Sequence, residues 1–475
     1  MGLLTNIDTR KAKIVCTIGP SSSDKKVIAS LIKNGMNVAR MNFSHGDHET
    51  HRQRIELVRE LSGIFKKPVA ILQDLQGVKI RVGLIEGGAV ELKKGETIRL
   101  SPGDGMGNRR EIFISYPLLL KEIRKGDKIL LDDGLIQLSV TGRTKNAVLA
   151  TVAEGGILKD RKGVNLPGVK LSMRSFTDKD EQDLSFGIKM GVDYVAISFV
   201  READDIKKVK AWLMKRDQAI PIIAKIEKPE ALDNIDEIFS EVDGIMIARG
   251  DLGVEMPPEE VPLIQKGLID KANKKGKIVI TATQMLESMT EHLRPTRAEA
   301  NDVANAVLDG TDALMLSAET ASGKYPVEAL KMMDRIISHT EQMKETGSSF
   351  IHGDIFAEAT ADAACRAAED IHAKALVAFT QSGFTARLLS KFRPRVPIIA
   401  LTPDNSIENR VSLYWGVTPK IMQLPATTDE MVKGIEKTLL AERIVKKGDS
   451  IVITSSSPLS IQAKTNFMKL HRVGE

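Results

Sequence analysis

Pro221-Ile222-Ile223-Ala224-Lys225-Ile226-Glu227 reads as a buried, β-branched strand until its last residues, where the apolar run meets two opposite charges. Side chains alternate faces along a strand, so Lys225 and Glu227 point the same way. One account is a buried ion pair, because paired charges do occur in protein cores. A second run, Gly244-Ile245-Met246-Ile247-Ala248-Arg249-Gly250-Asp251, also ends in charge. Two carboxylates and a lysine at adjacent strand ends favour the other account, a divalent-metal site with a cation beside it.

Working outward, strand and helix patterns alternate on both sides of this stretch. Before it, strands are expected over residues 13–18, 37–43, 68–74 and 194–200, with helical spacing over 24–33 and 51–65. After it, strands are expected over 244–248, 277–283 and 313–317, with a helix over 327–345. Together these make eight βα units, the pattern of a closed (β/α)8 TIM barrel whose active-site face lies at the C-terminal strand ends. The polar residues cluster at those ends.

The alternation breaks between residues 78 and 174, where short runs and turn signals predict an all-β insertion with one helical turn near 117–123. Asp132-Asp133-Gly134 marks a hairpin there. The insertion leaves the barrel after its third strand, on the catalytic face, and is placed to act as a lid. From about 352 an open α/β domain is expected, with a helix over 356–371 and strands over 375–380, 396–401, 417–424 and 450–453. Gly347-Ser348-Ser349 reads as a hinge before it. The expected domains are thus residues 1–77 and 175–346 for the barrel, 78–174 for the lid and 350–475 for the C-terminal α/β domain.

Composition narrows the functional classes. The 68 basic and 63 acidic residues are spread along the chain, and 4% aromatic content offers little for base stacking. Neither suits a nucleic-acid surface, which needs clustered Lys and Arg. No apolar run reaches the ~20 residues of a membrane span. Cys16 and Cys365 are far apart and read as core residues. Met1-Gly2-Leu3-Leu4-Thr5 lacks a signal-peptide pattern, so a reducing, cytoplasmic setting is expected.

The strand-end motifs, taken together, resemble the pyruvate kinase family. They are Ile222 to Glu227, Ala248 to Asp251, Thr281-Ala282-Thr283-Gln284-Met285-Leu286-Glu287-Ser288-Met289, Pro295-Thr296-Arg297-Ala298-Glu299, Met315-Leu316-Ser317-Ala318-Glu319-Thr320 and Asn42-Phe43-Ser44-His45-Gly46. The resemblance implies phosphoryl transfer from phosphoenolpyruvate to ADP, a homotetramer, and Mg²⁺ or Mn²⁺ held by Glu227 and Asp251. It implies that Lys225 neutralises the moving phosphoryl group and the enolate, and that Arg40 grips the phosphate. Gly250, Asp251 and Thr283 are expected to hold the substrate carboxylate, Thr283 also serving enolate protonation through a water. Asn42, Ser44, His45, Arg81 and Lys162 are expected at the nucleotide. Singly, His45 reads as a turn residue and Lys162 as a solvated loop charge. Ser322 stands where the family pattern has a lysine.

Thr380-Gln381-Ser382-Gly383-Phe384-Thr385 follows a strand and opens a helix. It reads either as an N-cap by Ser382 or as a phosphate cradle. The resemblance assigns Thr380, Ser382, Gly383 and Thr385 to the phosphate of an effector, with Ser455 to Ser460 and Thr465-Asn466 as a partial match to the loop that closes over it. Some members hold K⁺ at positions equivalent to Asn42, Ser44, Asp74 and Leu75. Here Lys79 stands at a glutamate position of those members, Leu75-Gln76 replaces Thr-Lys, and Val78 replaces a common proline. We therefore expect the K⁺-independent subgroup, with Lys79 supplying the ion's charge near the phosphates and Asp74, and only a vestigial or weak K⁺ site. The bland alternative leaves Lys79 in solvent at the lid hinge. Two other functions share part of the residue set. A metal-dependent lyase or aldolase would need neither Arg40 nor Lys162, and an inactive phosphometabolite sensor would not need Lys225, Glu227, Asp251 and Thr283 intact.

Overall fold

The computed structural model describes residues 10–169, 172, 175–343, 355–459 and 464–475. The expected limits at 174, 345, 346, 350 and 352, the Gly347-Ser348-Ser349 hinge, Met1 to Thr5 and Ser460 lie outside the described residues.

Eight parallel strands close into a barrel: β1 (Lys13–Thr17), β2 (Val38–Asn42), β3 (Ala70–Asp74), β4 (Tyr194–Ile197), β5 (Ile222–Ile226), β6 (Gly244–Ala248), β7 (Ile278–Ala282) and β8 (Ala313–Leu316). Each pairs with its neighbour in the chain, and β8 closes on β1. Both faces of each strand are covered, which is why the strands read as near-continuous apolar runs. The period of two is nevertheless strict. Val38, Leu72, Ala196, Ile223, Met246 and Ile280 fill the interior, while Ile222, Ala224 and Ile226 face outward into the core shared with the helices. Helix α1 (Lys25–Lys33) is capped by Asp24, which accepts from Lys26 N and Val27 N. Helix α2 (His48–Phe65) starts earlier than its apolar spacing suggests because Asp47 caps Thr50 N.

The β insertion between β3 and β4 forms a six-stranded sheet with two small strand pairs, plus the short helix Leu119–Glu122. Its hairpin is longer than a two-residue turn. Leu131 pairs with Ile136, leaving residues 132–135 as the loop. Asp132, Asp133 and Gly134 all take positive φ there, a conformation that Asp and Gly tolerate best.

The third domain has a five-stranded sheet in the order Val417–Ile421, Ile398–Thr402, Ala375–Phe379, Ser450–Ser455, Phe467–Arg472. The last strand, antiparallel to its neighbour, was not expected. It lies at the edge and is largely exposed, so it carries almost no apolar pattern. This domain covers the N-terminal end of the barrel. Leu413 joins the barrel interior, Tyr194 Oη donates to Arg410 O at 2.8 Å and Lys13 Nζ to Val417 O at 2.9 Å. Asp312, just before β8, accepts from Lys391 Nζ at 2.5 Å and from Arg393 Nη2 at 2.7 Å. The opposite barrel end is left to the lid. Among the described residues no helix is long and apolar enough to cross a membrane.

Candidate active site

The alternation that fills the barrel with apolar side chains also builds the site. Extending the inward faces one step beyond the apolar layer brings Thr17, Arg40, Asp74, Ser198, Lys225 and Glu227 into one ring. Arg40 donates from Nε to Asp74 Oδ2 at 2.7 Å and from Nη1 to Thr17 Oγ1 at 2.8 Å. Its Nη2 lies 2.6 Å from the same Asp74 oxygen. Lys225 Nζ lies 2.7 Å from Glu227 Oε1 and 3.5 Å from Asp74 Oδ1, and donates to Ser198 Oγ at 2.9 Å. The Ser198 hydroxyl donates onward to Leu75 O at 2.8 Å, so the carbonyl expected in a K⁺ site already accepts a hydrogen bond. Asp74 Oδ1 accepts no hydrogen bond among the described residues.

Electrostatics make this ring a charged state held ready. Burial alone would discharge Lys225, but Asp74, Glu227 and Asp251 overcome it and raise its affinity for the proton. Burial likewise pushes Asp74 up, and Lys225 with Arg40 pulls it below the ordinary carboxylate range. Glu227 moves the other way. Burial raises it, Lys225 opposes, and the negative charge of Asp251 adds to the rise. Lys225 is thus the firmly held cation, and Glu227 with Asp251 is a carboxylate pair still short of positive charge.

Backbone geometry sets the remaining groups. The strands stop just short of the polar residues: β5 ends at Ile226 and β7 at Ala282. Phe199, Thr283 and Gln284 take φ of 56°, 69° and 53°, a strained state for bulky or β-branched residues that is characteristic of functional sites. The Phe199 amide donates to Glu227 Oε2 at 2.8 Å and fixes that carboxylate. Helix α3 (Arg249–Glu255) begins at the end of β6. Its Gly250 amide, expected to be open to a substrate carboxylate, donates to Thr283 Oγ1 at 2.7 Å. Amide and hydroxyl, read separately from sequence, are one hydrogen-bonded unit. The Arg249 guanidinium ties the same helix to Asp302 at 2.7 Å and to Thr283 O at 2.7 Å.

Above the ring, a cleft of about 390 Å³ opens between barrel and lid, lined among others by His45, Lys79, Arg81, Asp132, Arg161, Lys162, Arg201, Lys228 and Asp251. Six lining side chains are cationic against three carboxylates, Asp132, Asp133 and Asp251, so the cleft suits a polyanion. Lys162, half-buried, pairs with Asp132 at 2.7 Å. Burial, then Lys79, Arg81 and Arg40, holds His45 neutral by lowering its pKa. Ser44 N donates to Asn42 Oδ1 at 3.1 Å, and Asn42 lies across from Asp74 in the sheet.

Lys79 is half-buried in this cleft and not in solvent. Burial, Arg81 and Lys225 lower its pKa, while the acidic groups acting on it are Asp251 and Glu227. The sequence reading paired its charge with Asp74, but that carboxylate is engaged by Arg40 and Lys225. Ser322 offers no charge and lies 3.5 Å from Ala318 O.

Ser198, Arg201, Lys228 and Glu255 were not singled out from sequence. Ser198 was within reach, since it continues the inward parity of Tyr194 and Ala196. Arg201 and Lys228 join through loops and carry no periodic signal, and Glu255 ends the short helix α3. Thr380, Ser382, Gly383 and Thr385 lie apart from this site, in the third domain. There Gly383, not Ser382, caps the helix Phe384–Lys391. Its amide donates to Thr380 Oγ1 at 2.9 Å, and Thr385 Oγ1 lies 2.8 Å from Thr465 Oγ1.

Comparison with known proteins agrees with this arrangement. The family model described as "Pyruvate kinase, barrel domain" matches residues 9–330, and "Pyruvate kinase, alpha/beta domain" matches 358–471. A pyruvate kinase of Geobacillus stearothermophilus is 47% identical, covering 98% of this chain and 81% of the relative. One of Mycobacterium tuberculosis is 43% identical over 98% of this chain and 99% of the relative. The crystal structure of a pyruvate kinase from Cryptosporidium parvum superposes with a TM-score of 0.92 at 37% identity, covering 98% of this chain and 96% of that one. A barrel, an inserted lid and an α/β domain matched nearly end to end at this identity leave one assignment, and the chain belongs to the pyruvate kinase family.

Proposed function

We propose that the ring and cleft carry out Mg²⁺-dependent phosphoryl transfer from phosphoenolpyruvate to ADP, with the residues acting as follows. The observation that carries the reading is Lys225, buried, charged and aimed between Asp74 and Glu227. Phosphoryl transfer needs positioning and charge neutralisation more than covalent work by the protein. Arg40, oriented by Asp74 and Thr17, presents its planar fork to the phosphate. Lys225 neutralises the phosphoryl group in transit and the enolate left behind. The bond from phosphorus to the enol oxygen breaks as a bond to a β-phosphate oxygen of ADP forms. The enolate carbon then takes a proton to give pyruvate. Thr283, with the Gly250 amide, holds the substrate carboxylate and orients a water for that proton. Asn42, Ser44, His45, Arg81 and Lys162 are the proposed nucleotide contacts, and closure of the lid over the cleft brings the last two into place.

The residues fit a divalent cation. Glu227 is a buried carboxylate whose protonation is favoured by burial and by the negative charge of Asp251, so a cation between them is welcome. Among the described residues no group of three or more His, Cys, Asp or Glu is placed to hold a metal. Two hard protein ligands suit Mg²⁺ or Mn²⁺, which keep waters and take substrate oxygens. Bound there, the ion would neutralise charge on the transferring phosphate. We further propose that K⁺ is dispensable. Support comes from Lys79, half-buried in the cleft with Asp251 and within the electrostatic reach of Asp251 and Glu227. The loop from Thr380 to Thr385 is proposed to take the phosphate of an effector, which must displace the hydrogen bond from the Gly383 amide to Thr380. A homotetramer is proposed from family membership alone.

The test is ATP formation from phosphoenolpyruvate and ADP with Mg²⁺, in tetramethylammonium and then in KCl at matched ionic strength, with and without sugar phosphates. Absence of ATP under every condition refutes the reaction. Strong activation by K⁺ alone refutes the role of Lys79. Small-angle scattering with and without nucleotide tests closure, which a fixed lid angle would rule out.

A further inference from the structure

We propose that Glu255 is a positioning residue through which docking of the lid sets the relative placement of the two candidate metal ligands. Helix α3 carries Gly250 and Asp251 at its start and Glu255 at its end. The Glu255 side chain is 1% exposed, and its Oε1 accepts two donors. Lys228 Nζ lies at 2.5 Å and Asn165 Nδ2 at 2.7 Å. Lys228 follows Glu227 directly, and Asn165 belongs to the lid strand Val164–Asn165. One carboxylate oxygen therefore ties together the strand end that bears Glu227, the helix that bears Asp251, and the lid. A second lid element rests on the same helix. A Cβ at Gly134, in the hairpin loop, would lie 3.7 Å from Val254 Cγ1. The Asp132 of that loop holds Lys162.

The physics runs through desolvation. A buried carboxylate is tolerated when its charge is balanced and its lone pairs are met. Lys228 balances the charge of Glu255 from the barrel side, and Asn165 adds a second donor to the same oxygen only while the lid is docked. A hydrogen bond to a charged group favours the docked lid by about ten- to a hundred-fold. The cycle also works in reverse. When the lid leaves, the Lys228–Glu255 pair loses part of its cover, and the anchor between the segments holding Glu227 and Asp251 is left to that pair alone. This inference rests on lid closure as part of the reaction.

The experiment uses the full-length protein and four variants: Asn165→Ala, Glu255→Gln, Glu255→Ala and the double Asn165→Ala/Glu255→Ala. The readouts are KM for ADP, kcat, thermal stability, and Mn²⁺ affinity by paramagnetic resonance in the absence of nucleotide. Asn165→Ala should raise KM for ADP about ten-fold, on the hydrogen-bond figure above. The double variant should be no worse than Glu255→Ala alone. Glu255→Gln, which keeps an acceptor for Asn165, should recover most of the loss in KM. Glu255→Ala should bind Mn²⁺ more weakly even without nucleotide. Independent, multiplicative effects in the double variant would overturn the proposal. So would loss of thermal stability in the Glu255 variants with KM and Mn²⁺ affinity unmoved. If Glu255→Ala does not fold, Asn165→Ala and Glu255→Gln decide. Should the unmodified protein form no ATP at all, the proposed reaction fails, while the Mn²⁺ measurement still tests the anchor.

Discussion

Replacing Lys225 with methionine keeps most of the apolar stem and removes the charged end, so the result separates two roles of one residue. In stability, the ammonium lies 2.7 Å from Glu227 and 3.5 Å from Asp74. Removing one partner of a buried pair costs about 3–5 kcal/mol. Asp74 keeps Arg40, but among the described residues Glu227 keeps only the Phe199 amide. Glu227 is already raised by burial, and the variant should relieve part of the cost by protonating it. The sign follows from linkage. A carboxyl whose folded pKa lies above its unfolded value contributes stability below the unfolded value of 4.5 and loses it as pH rises through the higher folded one. Lys225→Met should therefore be destabilised more at pH 8 than at pH 5, and Mg²⁺ should restore more stability to it than to the parent. In catalysis, a single neutral donor to a developing charge is worth about 2.7–4 kcal/mol. Loss of a buried full charge should exceed that, so kcat should fall at least about a thousand-fold. The assays are calorimetry across pH with and without Mg²⁺, and ATP formation from phosphoenolpyruvate and ADP. A folded variant with kcat within about ten-fold of the parent, roughly 1.4 kcal/mol, would refute the reasoning.

Three other outcomes are expected. Glu227→Ala and Asp251→Ala should each weaken Mn²⁺ binding by at least about ten-fold, because each removes one of few hard ligands; an unchanged titration by paramagnetic resonance places the metal elsewhere. Lys79→Glu should create or increase K⁺ dependence of turnover, measured in KCl against tetramethylammonium, and an unchanged response to K⁺ removes Lys79 from the role of cation substitute. Burial pushes Asp312 up, but Lys391 and Arg393 hold it below its ordinary range, so its stabilisation is complete above pH 3.8 and is lost as pH falls through the lower folded value. Asp312→Ala should lower stability by about 3–5 kcal/mol near neutral pH by leaving two buried cations without their carboxylate, and a melting temperature unchanged from the parent would show that the ion pairs do not hold the third domain to the barrel.

Much of this architecture was legible because its rules are periodic. Eight apolar runs separated by helical spacing predict a closed barrel, and parity along β5 places Lys225 and Glu227 on one face before any coordinates. Periodicity carries no information about what happens after a strand ends. The joining of Gly250 to Thr283, the clamp of Glu255 on Asn165 and Lys228, and the engagement of Leu75 O by Ser198 are contacts between segments tens of residues apart. The edge strand Phe467–Arg472 was missed for a related reason. With little to bury, it shows no apolar face. Asp47 and Asp132 illustrate the middle case, where a cap or a turn is visible locally but its exact reach is decided by tertiary context.

The position of Lys79 sharpens what a tethered cation could replace. In the ring, Arg40 and Lys225 face Asp74 and Glu227, two charges of each sign. That balance leaves Asp251 over, and it leaves no surplus for an arriving substrate that bears a carboxylate and a phosphate with about two negative charges. A divalent ion would meet Asp251 and part of that charge. Any further monovalent cation acts in a field already set by these groups, and its usefulness lies in its charge near the phosphates. Of the oxygens expected in a K⁺ cage, Leu75 O accepts from Ser198 and Asp74 is held by Arg40. In the proposed role, Lys79 supplies that charge from within the electrostatic reach of Asp251 and Glu227. Its ammonium is lowered in pKa by burial and by Arg81 and Lys225, which means that its neighbours repel it until an anion arrives. In the proposed role, a cation held at such a cost binds its anion the more strongly when the anion comes, and turnover is expected without an ion recruited from solution.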